Sequence, residues 1–477
     1  MAAPTSAQKP TTFVSEIPGR FSPLIVVDKR DILNVTTSTP TSAQVAYLPR
    51  AESASHDFNT PLTEVTELGT NFHVGDYDDI AENKVSITSY DVGPYAISLL
   101  TGKKIATTGT TTFGFNELNQ ANVDIIRQYA DPSGHIFYSE YMGDHVIDEY
   151  SSMLKAKSAS MEMFNIIGFN TAGFRGQIVT KAYVTQAADV TAKSFNVTPL
   201  LGVDEAPYPV PVPTGTQPAS YFIQTGRLNF LKIERYRPSD GFVRIKETIS
   251  AAGIAPGYCN YSAGALGFDA SDIDAGDVFL LTYMTYKSNV TAMSAISGLS
   301  AINYSTIPQL TTDTSDPIAV PTRLTPISIS ANRISRGQSF DIKMSLKRDR
   351  AEGIGDTDGF FGPSDAPAVS LSLDVKMTDA GLNGIMQNGT PFGSDSVGSV
   401  TNDFFDPSQA TRNQLAGNIP VVVTINDPRN SGVILKTITS PHAVFNQRTI
   451  STPAKGAATA KYTGKDVVGN IIIAVTK

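Results

Sequence analysis

The sequence has little of the residues that most often carry enzymatic or metal chemistry. Its 477 residues include no tryptophan, one cysteine and five histidines. Cys259 cannot form an intrachain disulfide, and no cysteine or histidine spacing matches a zinc signature. A lone thiol favours synthesis in a reducing compartment. No nucleophile elbow is present either, so we expect a protein that is not an enzyme and that needs no cofactor.

Charge and long apolar runs are also scarce. Charged residues make up 17% of the chain and the net charge is −8, whereas a nucleic-acid-binding surface needs clustered Lys and Arg. No apolar run approaches the ~18 residues of a membrane helix, and the first residues contain no apolar signal segment. We therefore expect a soluble protein made in a cytoplasm. The abundance of Ser, Thr, Gly and Pro favours short strands and turns.

The clearest pattern lies in residues 333 to 377. Apolar and polar residues alternate from Phe340 to Leu346 and again from Val369 to Met377, which predicts two strands with one buried face each. An acidic, glycine-rich segment from Asp349 to Asp365 joins them. Loops of about 15 residues between regular strands usually have a role, and contact with another subunit is a common one.

A similar order of elements occurs nearer the N-terminus. Val85 matches Val369, and Phe164 matches Tyr462 at a slightly larger offset along the chain. Similar elements at a nearly constant offset indicate an internal repeat. We predict a duplicated β unit, and the alternative is one large β protein with strands that merely look alike.

Each unit is predicted to contain one helix. Leu118, Ala121, Ile125 and Tyr129 follow Asn116 at helical spacing. The second helix is predicted over residues 408 to 416, after the N-cap pair at residues 406 and 407.

The predicted fold class is mainly β, with two β-barrel or sandwich units, each with a flanking helix, and a β-rich middle segment. The predicted boundaries are an N-terminal arm (1–40), a first unit (41–170), a middle segment or outer domain with a proline-rich connector (171–320), and a second unit (321–477).

One histidine-containing cluster invites a metal-site interpretation. Glu140, Asp144 and His145 follow His135 closely, but their spacing fits no zinc signature. Because Gly134 and Gly143 suggest turns, we interpret these residues as solvated loop groups.

Three segments together resemble the tail tube proteins of tailed bacteriophages. They are a strand that enters an acidic loop (Gln338 to Asp349, then Ile354 to Asp356), a strand with alternating serines (Val369 to Met377), and a late strand (Ser158 to Phe164). The resemblance covers both halves but not the middle segment, and it includes no invariant motif.

The resemblance implies a structural virion protein of the tail, made in the cytoplasm of a bacterial host. Its subunits would form rings, as trimers or hexamers, that stack into a tube through which DNA passes during ejection. Some tube proteins carry two such barrels in one chain and form trimeric rings. Partners would be other copies of the chain and other tail proteins, without a membrane. A negative charge suits such a conduit, because a like-charged lumen does not retain DNA.

Two groups of residues, one in the acidic loops and one basic, are candidates for contact with neighbouring subunits. The basic group is either solvated or paired with an acidic loop of a neighbour. The candidate loop residues are Asp76, Asp78, Asp79, Asp356, Asp358, Phe360 and Phe361, and the candidate basic residues are Lys347, Arg348 and Arg350.

Two other functions remain open from the sequence. One is a different phage structural protein, such as a tail terminator or a capsid decoration protein. The other is a carbohydrate-binding or hydrolytic β protein, in which the carboxylates of the acidic loops would act as acid and base. The absence of tryptophan weakens the second alternative, because sugar-binding platforms favour large aromatic faces.

Overall fold

The computed structural model shows a mainly β protein. The structure describes residues 24–30, 32, 45–48, 51–59, 62–66, 73–78, 82–130, 136–174, 177–197, 230–248, 253–262, 265–285, 319–334, 336–351, 360–362, 367–376, 419–452 and 457–476.

The elements of the described residues are given in chain order. The strands are β1 (Leu24–Val27), β2 (Val45–Tyr47), β3 (Ala51–Asn59), β4 (Leu62–Thr66), β5 (His73–Asp78), β6 (Glu82–Ser89), β7 (Thr110–Phe113), β8 (Asn122–Ala130), β9 (Ile136–Lys155), β10 (Met161–Gly168), β11 (Asn170–Phe174), β12 (Gln177–Val184), β13 (Ser194–Asn196), β14 (Phe230–Arg237), β15 (Gly241–Thr248), β16 (Tyr258–Ser262), β17 (Ala265–Phe268), β18 (Val278–Thr285), β19 (Ile327–Ile329), β20 (Asn332–Arg333), β21 (Gly337–Ser345), β22 (Arg350–Ala351), β23 (Phe360–Phe361), β24 (Ala368–Lys376), β25 (Ile419–Asn426), β26 (Ile434–Ser451), β27 (Thr459–Asp466) and β28 (Ile472–Thr476). The helices are α1 (Tyr95–Thr101), α2 (Phe115–Asn119) and α3 (Ala187–Ala192).

The two strands with the clearest alternation form as predicted. β21 and β24 pair antiparallel, with Phe340 opposite Leu373 and Ile342 opposite Leu371. These four side chains are buried in one core, because the period of two places every second residue on the same face. That core contains residues of both predicted units and is continuous between them.

The strand order of the first unit recurs in the second. Strands of the first unit pair in the order β2, β1, β8, β9, β10, β6, β3. The second unit repeats this order as β20, β19, β25, β26, β27, β24, β21. β11 pairs with β9 as β28 pairs with β26. With β7, which pairs with β28, these strands make up one 17-stranded sheet.

The β-bulges also occur at matching positions. Asp148 bulges from β9 opposite the step between Asn165 and Ile166, and Asn446 bulges from β26 opposite the step from Thr463 to Gly464. Bulges interrupt a ladder at defined places, so their coincidence supports the predicted repeat independently of strand order. Three further register shifts coincide in the same way: Ala51/Ser53 with Gly337/Ser339, Val123/Ile125 with Ile419/Val421, and Tyr129/Ala130 with Ile425/Asn426.

The registers correct one of the two predicted matches between the units. Phe164 pairs with Ile87, and Tyr462 pairs with Leu373. If Phe164 corresponds to Tyr462, then Ile87 corresponds to Leu373. Val85 therefore corresponds to Leu371, whereas the sequence matched it with Val369. A shift of two residues leaves every side chain on the same face, so the alternation pattern alone could not fix this match.

The predicted helix after Asn116 is wrong beyond its first turn. α2 ends at Asn119, and Asn122–Ala130 is the strand β8. Ile125 faces the main core, while Ile126 packs in a second core on the other side of the sheet. Burial of both faces removes the period of two and leaves an apolar spacing that resembles a helix. The second predicted helix, residues 408 to 416, lies outside the described residues.

Two further features concern the first unit: the strand β1 and a separate sheet that packs on it. β1 falls within the predicted N-terminal arm, but it is buried and pairs with β2 and β8, so Leu24–Val27 belongs to the sheet of the first unit. The strands β12 to β18 form a separate seven-stranded sheet. That sheet has its own core and packs on β1 and β8 through the second core.

None of the described helices is long and apolar enough to cross a membrane.

Candidate assembly site

A junction between the two units brings most of the predicted basic residues together. The outer edge of β21 pairs antiparallel with the C-terminal half of β9, from Ser339 opposite Lys155 to Ser345 opposite Glu149. Lys343 on β21 forms an ion pair with Glu149 on β9. The second unit therefore extends the sheet of the first by edge-to-edge pairing.

Arg348 anchors this junction beyond the end of β21. Its Nε donates to the carbonyl of Ile147 (3.0 Å), and its two terminal nitrogens donate to the carbonyl of Leu118 (3.2 Å) and to Oδ1 of Asn119 (2.7 Å). Burial lowers the pKa of Arg348 to about 10, so the guanidinium is still charged at neutral pH. Lys347 beside it is exposed and adopts a positive φ of 47°.

Arg350 and Phe361 lie in a short hairpin, β22–β23, that also reaches the first unit. The Phe361 ring stacks on Phe169, with 4.4 Å between the centroids and an interplanar angle of 11°. Arg350 lies over the same Phe169 ring at 5.2 Å and forms an ion pair with Glu82 at 3.7 Å. Arg348 and Arg350 thus contact the first unit of their own chain, and neither is simply solvated.

The predicted acidic loop of the first unit contains a strand. Asp76 and Asp78 lie in β5, which pairs with β4 to form a hairpin between β3 and β6. The β4–β5 hairpin occupies the same place in the first unit as β22–β23 in the second. Phe360 pairs with Ala351 in that second hairpin. The remaining candidates, Asp79, Asp356 and Asp358, lie outside the described residues.

The histidine-containing cluster is structural, and its interpretation as a solvated loop is wrong. Glu140, Asp144 and His145 lie within the long strand β9, and His145 is fully buried. His135 lies outside the described residues. Among the residues that the structure describes, no group of three or more His, Cys, Asp or Glu side chains could hold a metal ion.

Asp144 belongs to a buried ionic network that holds the seven-stranded sheet on the first unit. Lys232 of β14 reaches Asp124 (2.8 Å), Asp144 (2.7 Å) and Glu234 (3.1 Å), and Lys29 reaches Asp124 (3.1 Å). Burial alone would raise the pKa of Asp124, but the two ammonium groups lower it well below its usual range. Arg244 also contacts Asp144 (3.1 Å), so three cations face the three carboxylates, and this balance of charge explains how the network can be buried.

His56 lies on β3, at the edge of the first unit. The carboxylate of Glu140, 3.6 Å from its Nδ1, raises the pKa of the imidazole, against the opposing effect of burial. Asn83 contacts the other ring nitrogen. The corresponding position in the second unit is Ile342, which is fully buried at the junction with β9.

Two strand edges were not predicted from the sequence. In the described residues, β3 pairs only with β6, so its other edge is open. Likewise, the C-terminal half of β26 pairs on one side with β27, and no described strand pairs with its other side. Ile450 on β26 is 44% exposed, and Val467 and Val468, directly after β27, are 53% and 61% exposed.

Comparisons with known proteins give little guidance. No family model and no curated protein matches the sequence. Among solved structures, the chain is similar to the tube terminating cap of the anti-feeding prophage, determined by cryo-EM. The sequence identity is 11%, the match covers 36% of this chain and 99% of that one, and the TM-score is 0.22. A likeness at this level carries no argument about function.

Proposed function

We propose that the chain is a non-enzymatic structural subunit of a phage-type tail tube, which self-assembles into rings that stack around a lumen. One observation carries the proposal: two copies of the same eight-stranded unit are joined edge to edge into one sheet. Edge pairing that continues from chain to chain is a device for assembly.

The net charge of the chain and its duplicated unit fit this role. The net charge of −8 suits this role, because a like-charged lumen would not retain DNA. The duplicated unit also means that a ring of three chains would present six copies of the unit. Its partners would be other copies of the chain and other tail proteins of the virion.

Electron microscopy of the purified chain tests this function. We expect rings and stacked tubes in negative stain, and a mass by multi-angle light scattering that corresponds to at least three chains at high concentration. Single rings that never stack would favour a tail terminator. A chain that remains monomeric across a concentration series would contradict the proposal, and turnover of a polysaccharide would favour a hydrolytic protein instead.

A further inference from the structure

The two open edges correspond to the two edges that already pair inside the chain. β3 occupies the place of β21, with His56 at the position of Ile342. The C-terminal half of β26 occupies the place of the C-terminal half of β9, with Ile450 at the position of Ser152. Within the chain, β21 pairs with β9. The equivalent pairing, β3 with β26, is unmade among the described residues of a single chain.

We infer that β3 of one copy pairs antiparallel with the C-terminal half of β26 of the next copy, and so repeats the internal junction between chains. This inference rests on the proposed self-assembly and adds the contacting surface and its register. The correspondence between the units transfers the register of β9 and β21 residue by residue. The expected pairs are Ser55 with Ser451, His56 with Ile450, Asp57 with Thr449, Phe58 with Arg448, and Asn59 with Gln447.

The burial of the counterparts supports this pairing. Ile450 is 44% exposed, whereas its counterpart Ser152, in β9, is fully buried beneath the internal junction. An unpaired strand edge is a ready template for pairing with another chain, and pairing at this edge would cover the exposed Ile450 side chain as the internal junction covers Ser152. His56 would lie opposite Ile450 as Ile342 lies opposite Ser152.

A second surface points to the same neighbour. Gly168 ends β10 as Asp466 ends β27, so Phe169 corresponds to Val467. Phe169 is covered by the β22–β23 hairpin through Phe361, whereas Val467 is exposed. Since β4–β5 occupies the place of β22–β23, we place the β4–β5 hairpin of the neighbouring copy over Val467.

The expected register is electrostatically permissible. Like charges directly opposite each other destabilise a strand pair, and none of the five expected pairs contains two like charges. The interface is heterologous, because it joins two different edges, so it closes into a ring or continues as a filament according to the rotation between copies. Each unit contributes one edge, and within one chain no described strand pairs with either of them.

Disulfide trapping in assembled particles tests the register. Ser55 and Ser451 are both exposed, and directly opposite residues have Cβ atoms about 4.5–5.5 Å apart, near the range of a disulfide. We would mix Ser55→Cys and Ser451→Cys single variants, allow assembly and oxidise. Covalent dimers are expected on a non-reducing gel. Cys259 is buried and does not compete.

The matched control mixes Ser53→Cys with Thr449→Cys. Ser53 lies four residues from Asp57, the expected partner of Thr449, and four residues of strand span about 13 Å, so no dimer is expected. Hydrogen exchange of the wild-type chain gives a second measurement, with slower exchange expected in residues 51–59 and 447–451 upon assembly.

The outcomes separate the two proposals. Rings that form without the Ser55–Ser451 dimer, or without slower exchange at either edge, overturn the edge pairing and leave the tube function standing. Dimers from the control pair instead would overturn the register. A wild-type chain that never assembles overturns both proposals.

Discussion

Lys436 and Glu162 show how single residues hold the two units against each other. Lys436 lies on β26 of the second unit, Glu162 on β10 of the first, and the two fully buried side chains form an ion pair. Lys436 also donates to the carbonyl of Gly93 (2.9 Å), and Tyr150 donates to Glu162 (2.9 Å). A buried pair of this kind contributes little net stability, but each charge depends on the other.

Removal of the lysine alone should be costly. Lys436→Met leaves Glu162 buried without its cation, and we expect the free energy of unfolding to fall by about 3–5 kcal/mol in urea denaturation. The double variant Lys436→Met/Glu162→Gln should recover much of this loss, because glutamine is neutral and still accepts from Tyr150. Lys465→Met, at an exposed position of β27, serves as the control. Additive effects of the two substitutions would contradict the coupling.

The β-bulges occur at matching positions in the two units. Gly464 lies beside one of them and shows why that position requires a glycine. Gly464 lies opposite Phe445, beside the bulge at Asn446. A Cβ atom at this position would collide with the backbone carbonyl oxygen of Val444 and would lie 3.0 Å from Cα of Phe445. Both are backbone atoms and cannot move aside as a flexible side chain can.

We therefore expect Gly464→Ala to destabilise the fold by about 1–3 kcal/mol, the range of an overpacked position. Gly337→Ala is the matched control, because Gly337 also lies beside a bulge and a Cβ there would meet nothing within 4 Å. Thermal unfolding followed by circular dichroism measures both. Equal melting temperatures for the two variants would show that the bulge in β26 relaxes.

The sequence predicted the two strands in which wet and buried residues alternate most clearly. β21 and β24 follow from alternation alone. β8 did not follow, because both of its faces are buried. The open edges could not be predicted either, since an edge is defined by which strands pair and not by the residues of one strand. Contacts such as Arg348 with Leu118 depend on the same long-range pairing.

At the scale of the whole molecule, the chain is two similar units that share one core and one sheet but leave one edge each unpaired among the described residues. Among the described residues, the seven-stranded sheet shares a core with the first unit and not with the second. Ile25 and Ile126 pack against this sheet in the second core. Their counterparts in the second unit, Ser328 and Val422, are only partly buried. The two units therefore differ on the face of the sheet that packs on the seven-stranded sheet, whereas their edge strands still correspond.

A charge on the open edge should separate folding from assembly. Ile450 is 44% exposed, so Ile450→Lys should change the melting temperature of the monomer little. In an assembled ring the same position would be covered as Ser152 is, and an unpaired lysine buried there costs several kcal/mol. We expect a folded chain that forms no rings by light scattering and negative stain. Val433→Lys, at an equally exposed apolar residue (46%) in the β25–β26 turn, should still assemble. If both variants formed rings, the edge of β26 would not be the contact, and if neither did, added surface charge rather than the edge would explain the loss.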